Sequence, residues 1–365
     1  MKRISQFLLL LSFSIAYSQT NFNLEISAPL LKRDSILIAP PESAKSASHL
    51  HNIKIHSDKR ARFMEASSAA SIKIKSENTI TGYIEYPQPF NFSYFGIRTD
   101  FPEIFFIEKG NHKIKIDSEN LNYTLLSKSL TNTEYKNLKS ILKAADARLK
   151  PFQENSSEDI IYKQKLLQNY IRKNPGSYVA FWEIINDFSK YGFNKIYLET
   201  LSLLSNKVKS IYSYKELHKI LQLENSTNVG GNFPDVQLNS ADKIVKASFA
   251  DYKLTLIDYW ATTCKPCIQD LPKLIELYTA YTSKGVQFIS VANDVTKERK
   301  QLANKILSEN KVSWANYFDI NQEFPKKLNA AGYPLQILVD QNGKIISRKL
   351  GELDEIATEI EKYVQ

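Results

Sequence analysis

Cysteine is nearly missing from this chain of 365 residues, which contains only two. That scarcity excludes a disulfide-stapled scaffold and any four-cysteine zinc or iron-sulfur centre. Methionine is equally rare, with two residues, and histidine contributes five. Long apolar runs are also lacking. The run from Phe7 to Ala16 falls well short of the ~20 apolar residues that a membrane-spanning helix requires. Low-complexity tracts and heptads are absent, and 43% hydrophobic with 24% charged residues is ordinary globular composition. The length is too great for one comfortable core, so two or three domains are expected.

The apolar run at the start has a different use. Lys2 and Arg3 precede it, and Ala16-Tyr17-Ser18 places small residues three and one before a cut after Ser18. This pattern predicts a signal peptide over 1–18 and an exported chain, in the periplasm or cell envelope, that does not span the membrane. The formal net charge is +9. From Ser226 onward acids and bases balance, so the excess lies earlier. The densest basic cluster is Lys54, Lys59, Arg60 and Arg62, and it lacks the interleaved aromatics of a nucleic-acid groove. No nucleic-acid partner is expected. His49, His51 and His56 read as solvated side chains rather than metal ligands.

Three zones follow one another. Between 19 and 125, short β-branched segments with alternating polarity are punctuated by Gly82, Pro87, Pro89, Gly96 and Pro102, which predicts a small antiparallel β-sandwich. Between 126 and 225, Leu, Ile, Tyr and Phe recur at helical spacing, which predicts an all-α connector; Asn174-Pro175 reads as a helix start. From 226 to 365, strand and helix patterns alternate as in an α/β domain.

Both cysteines fall in Cys264-Lys265-Pro266-Cys267, after the apolar strand Leu254–Trp260 and at the opening of a predicted helix. A helix N-terminus favours an anion, so Cys264 is expected to ionise more easily than a free thiol, and Cys267, one turn in, to resolve a mixed disulfide. Lys265 adds positive charge, and Pro266 fixes the first turn. A purely structural disulfide and a metal half-site are the alternatives. The first would close a very short loop, and the second would need two further ligands, while no histidine follows His218.

Ile257-Asp258-Tyr259-Trp260-Ala261, the Cys264–Cys267 motif and Pro272 resemble the active-site strand and helix of thioredoxins. Val229-Gly230-Gly231-Asn232-Phe233-Pro234-Asp235 resembles the opening hairpin of the exported TlpA/ResA-like branch. Tyr333-Pro334, Leu335–Asp340 and Asn342–Ile346 resemble its cis-proline strand and closing hairpin. Upstream, Phe105–Gly110 and the helices around Asn174–Ser177 are similar to the N-terminal halves of Bacteroidetes envelope members. The resemblance implies a thioredoxin-like α/β fold for 226–365 and thiol-disulfide oxidoreductase activity, more reductase than oxidase. It needs no cofactor beyond the redox-active pair. Implied partners are exported proteins with disulfides or thiols and a membrane electron donor of the DsbD/CcdA type.

By the same resemblance Cys264 is the nucleophile and Cys267 the resolving thiol. Asp258 is a buried carboxylate that moves protons to and from Cys267, with a raised pKa. Tyr333, Pro334 and Lys265 border the substrate, Trp260 reads equally as a wall of the site or as core packing, and Pro266 and Pro272 position the helix. Thr263 stands where the family usually has Trp, and Leu335 where Thr is common. Two rival readings are a thiol peroxidase and an envelope partner-binding protein with a secondary redox centre. The peroxidase motif would need Pro and Thr where Ile257 and Ala261 stand.

Overall fold

A computed structural model describes residues 20–33, 35–41, 50, 53–56, 70–73, 77–94, 103–151, 153, 155–330, 332–351 and 353–364. The signal-peptide reading of 1–18, most of the basic cluster, and His49 and His51 lie outside them. The side chains of Lys54 and His56 do so too. The chain divides into two compact units, one of strands running to Ser140 and one from Ile141 onward that also takes in Leu50.

The first unit carries β1 (Phe22–Ser27), β2 (Ser35–Ala39), β3 (Ile53–His56), β4 (Ala70–Lys73), β5 (Glu77–Ile84), β6 (Gln88–Ser93), β7 (Phe105–Ile107), β8 (Gly110–Ile116) and β9 (Tyr123–Leu125). They form a five-stranded sheet in the order β3-β5-β1-β8-β9 and a four-stranded sheet in the order β4-β2-β6-β7. Alternation places Leu24, Ile26, Ile80, Ile84, Ile114 and Ile116 of the first sheet in one core with Ile36, Ile38, Phe90, Phe92 and Phe105 of the second.

Two details depart from the sequence reading. β1 and β8 pair in parallel, while every other strand pair described in this unit is antiparallel. Pro89, read as turn punctuation, lies inside β6. There only β7 pairs with it, because β2 pairs farther along at 91–93. A residue without an N–H is tolerated where a strand has a neighbour on one side only. Asn132 ties the following helix to β7, accepting from the Phe106 N–H at 2.7 Å and donating to its carbonyl at 2.8 Å.

The helices are α1 (Leu130–Asp146), α2 (Ser157–Lys173), α3 (Tyr178–Tyr191), α4 (Ile196–Ser202), α5 (Asn206–Lys209) and α6 (Tyr212–Thr227). Asn174 closes α2 rather than opening α3, whose cap is Ser177, accepting from the Ala180 N–H at 2.9 Å. The apolar periodicity conceals one charged group. Lys163 of α2 is 1% exposed and meets Asp146 at 2.6 Å and Glu183 at 2.7 Å, with Asp187 also in contact. Burial alone would lower the Lys163 pKa, but the three carboxylates outweigh it and hold the ammonium well above its usual value.

The remaining elements are β10 (Val236–Gln237), β11 (Lys243–Ile244), β12 (Leu254–Trp260), α7 (Lys265–Tyr281), β13 (Val286–Ala292), α8 (Lys297–Glu309), β14 (Ala315–Phe318), α9 (Glu323–Leu328), β15 (Leu335–Asp340), β16 (Ile345–Leu350) and α10 (Leu353–Val364). Their main sheet has the order β14-β13-β12-β15-β16. β13 runs parallel to both β12 and β14, and the β12–β15 and β15–β16 pairs are antiparallel. This is the thioredoxin-like arrangement expected for the region.

β12 is buried along its whole length, as a central strand covered on both faces must be. Its two faces differ. Leu254 and Leu256 pack with Leu271 and Leu274 of α7 and Ile356 and Ile360 of α10, whereas Ile257 and Tyr259 pack with Phe324 of α9. Before the domain, Gly231 passes so close to the Ser226 carbonyl that a Cβ there would collide with it. Arg348 of β16 reaches Glu224 of α6 at 3.5 Å and the Thr227 carbonyl at 3.2 Å, fastening the last connector helix to the sheet.

Candidate active site

β12 ends at Trp260, and soon afterwards Cys264 caps α7. Cys264 and Cys267 form a disulfide, and the Cys267 N–H donates to Cys264 Sγ at 3.1 Å. That amide belongs to the first turn of a 17-residue helix, where N–H groups have no intrahelical acceptor. The first sulfur therefore occupies the place where an anion is best stabilised. Lys265 and Pro266 follow it, both exposed; Pro266 loses no hydrogen bond so near the helix start. Pro272 lies inside the helix, where its missing N–H removes one rung of the ladder.

The approach to Cys264 is clamped by residues that pattern reading did not single out. Thr262 donates its N–H to Asp294 Oδ2 at 2.9 Å and its hydroxyl to Asp294 Oδ1 at 2.8 Å; the hydroxyl also accepts from Arg299 at 3.3 Å. The Asn293 N–H donates to the Trp260 carbonyl at 2.9 Å. These bonds join the loop after β13 to the loop that carries the first cysteine. They link segments far apart in sequence and leave no periodic trace.

Asp258 is 5% exposed, and the alternation of β12 places it on the α7 face between Leu256 and Trp260. Burial pushes its pKa up to about 7, opposed by a hydrogen bond from Gln336 and reinforced by the Asp270 carboxylate of α7. Gln336 Nε2 donates to Asp258 Oδ1 at 3.0 Å, and the two residues are cross-strand neighbours. The structure thus brings Asp258 and both cysteines to the same helix.

Trp260 requires a correction. It is 1% exposed, packs in one cluster with Cys264, Cys267, Ala303 and Leu307, and donates its indole N–H to Asn316 at 3.2 Å. It supports the disulfide from within and has no surface left for a substrate. Tyr333 is half-buried and packs against that same cluster. Its ring lies 5.1 Å from that of Tyr259, and its hydroxyl accepts from the Asn293 amide. The Tyr333–Pro334 peptide is cis, at the start of β15. Among the described residues no group of three or more His, Cys, Asp or Glu side chains is placed to hold a metal ion. No helix there is long and apolar enough to cross a membrane.

A family model described as Redoxin matches residues 228–364, the segment that contains every group named above. This part of the chain is similar to ResA-type thiol-disulfide oxidoreductases. Among curated relatives, the thiol-disulfide oxidoreductase ResA of Bacillus anthracis is 26% identical over 113 residues, covering 31% of this chain and 62% of that protein. The sporulation thiol-disulfide oxidoreductase A of Bacillus subtilis (strain 168) is 24% identical over 99 residues, covering 27% and 60%. The chain therefore spans less than two thirds of the length of these relatives. Among solved structures, the ResA-like domain is similar to the thioredoxin domain of a thiol-disulfide oxidoreductase from Bacteroides vulgatus. That match is 25% identical and covers 38% of this chain and 98% of the other, with a TM-score of 0.32.

Proposed function

We propose that this protein is a thiol-disulfide oxidoreductase that reduces disulfides of exported proteins through Cys264 and Cys267. The observation that carries the proposal is the Cys264 sulfur at the N-terminus of α7, bonded to Cys267 and accepting its N–H. In the dithiol form the Cys264 thiolate attacks one sulfur of a substrate disulfide. A mixed disulfide forms, and the other substrate sulfur leaves as a thiolate that takes up a proton. Cys267, having passed its proton to Asp258, attacks Cys264 Sγ; the second substrate thiolate departs and the Cys264–Cys267 disulfide returns. Two electrons move from the pair to the substrate.

A dithiol donor in the membrane, of the DsbD/CcdA type, returns the pair to its reduced form. No other cofactor enters the cycle. Pro334 and Tyr333 border the substrate segment, whose backbone pairs beside the cis-proline, and Lys265 lies at the exposed rim. Pro266 and Pro272 set the course of the helix. The proposal includes export after cleavage at Ser18, a β-sandwich over 19–125, a helical connector over 126–225 and the catalytic domain over 226–365.

Insulin reduction driven by a small dithiol tests the reading. The full chain is expected to hasten precipitation of the insulin B chain, and Cys264→Ser to reduce the rate to the uncatalysed background. A Cys264→Ser variant as active as the parent would refute it.

A further inference from the structure

β15 reads Leu-Gln-Ile-Leu-Val-Asp, and Gln336 is the polar exception in its buried run. The side chain is fully buried, its Nε2 donates to Asp258 Oδ1 at 3.0 Å, and its Oε1 is buried with no partner. A leucine would fill the same place without leaving a carbonyl unsatisfied, and an unpaired buried acceptor is costly. An amide also offers what a lysine or an arginine, which can only donate, does not. It can turn over, so that the group facing a neighbour changes from donor to acceptor with no change of volume.

We propose that Gln336 is the positioning residue of Asp258, donating through Nε2 to the ionised carboxylate and turning over to accept through Oε1 once that carboxylate holds the proton of Cys267. The inference rests on the oxidoreductase reading of the cysteine pair. The proton passes from the Cys267 sulfur to an Asp258 oxygen and later returns, and no electron moves in the step. Gln336 touches neither substrate nor sulfur in this account and acts only through Asp258.

The surroundings of Asp258 leave this task to the amide. From α7 it faces the Asp270 carboxylate, itself partly offset by Lys273. In β13 its register partner is Ser290, which does not titrate, and in β15 it is Gln336. α10 contributes Leu353, Ile356 and Ile360 to the apolar core beside it. Asp270 disfavours the ionised state, so the bond from Gln336 is the contact that keeps Asp258 able to act as a base.

The test uses the full chain. The reduced protein is mixed with glutathione disulfide, and the rate at which Cys267 resolves the mixed disulfide is followed by stopped-flow tryptophan fluorescence across roughly pH 5 to 9. In the parent the rate should rise through an inflection near the Asp258 value of about 7. Gln336→Leu loses both bonds, of which the charge-assisted one to the ionised carboxylate is the stronger, so it should move that inflection up by about one pH unit, an approximately tenfold loss of ionised Asp258 at a given pH. Gln336→Met should do the same, and either variant suffices if the other folds poorly. Asp258→Asn should abolish the inflection, alone or combined with Gln336→Leu. An inflection unmoved in both Gln336 variants but lost in Asp258→Asn overturns the role of Gln336 and leaves the oxidoreductase reading standing. An inflection that persists in Asp258→Asn overturns the proton role of Asp258 and this inference with it, while an inactive Cys264→Ser would still uphold the exchange chemistry.

Discussion

A carboxylate enclosed by Leu256, Trp260 and the underside of α7 is a burden wherever it is ionised. Asp258 has an ordinary value of 3.8 in the unfolded chain and about 7 in the fold. Between those values the folded protein holds a proton that the unfolded chain has lost, so the contribution of Asp258 to stability falls as pH rises through that window. Above it the cost is on the order of 4 kcal/mol. Asp258→Asn is therefore expected to match the parent in urea denaturation near pH 4 and to exceed it by several kcal/mol at pH 8; parallel curves at the two pH values would contradict this cost. At this scale the sequence exposed the residues whose neighbours are close along the chain. Cys264 and Cys267 were legible from spacing, and Asp258 from its place in the strand before them. Thr262 with Asp294, Tyr333 with Asn293, and Gln336 with Asp258 were not, because each pair joins loops or strands far apart in sequence. A single polar residue within the apolar run of β15 was the one available sign of Gln336.

Among the elements, α2 and α3 are held by charge as well as by apolar packing. Lys163 neutralises part of a cluster of three carboxylates, and burial still raises the pKa of Asp187 despite the ammonium beside it. Removing the lysine would take away the ammonium that faces the buried carboxylates of Glu183 and Asp187. Lys163→Met should accordingly destabilise the protein by about 3–5 kcal/mol, read as a fall in the urea midpoint, whereas a midpoint within error of the parent would show that the cluster is held by something else. The helical period placed this segment but gave no hint of the cluster, since a lysine on an otherwise apolar stripe looks like an ordinary boundary residue. Strands were legible where polarity alternates, as in β1 and β8. Pro87 does lie in the turn before β6, but Pro89 hid the strand itself, because its turn signal is overridden where a strand has a partner on one side only. The start of α3 was displaced for a related reason: Ser177 makes the capping bond that the Asn174-Pro175 pair signals in the sequence.

For the whole molecule, a two-sheet sandwich forms one compact unit, and the helices from Ile141 onward share the other with the ResA-like domain. α6 is bound to β16 through Glu224 and Arg348, so the last connector helix and the C-terminal domain share partly buried polar contacts. The class of each zone was visible in its periodicity. The parallel β1–β8 pair was not, because sequence reveals that a strand exists more readily than which strand it meets. The central claim is that Cys264 attacks and Cys267 resolves, in that order, on protein substrates. The measurement that tests it most directly is capture of mixed disulfides by the full-length Cys267→Ser variant, displayed on non-reducing gels after incubation with disulfide-bonded insulin. The account predicts a reducible adduct with Cys267→Ser and none with Cys264→Ser. Adducts of equal yield from both variants, or from neither, would contradict it.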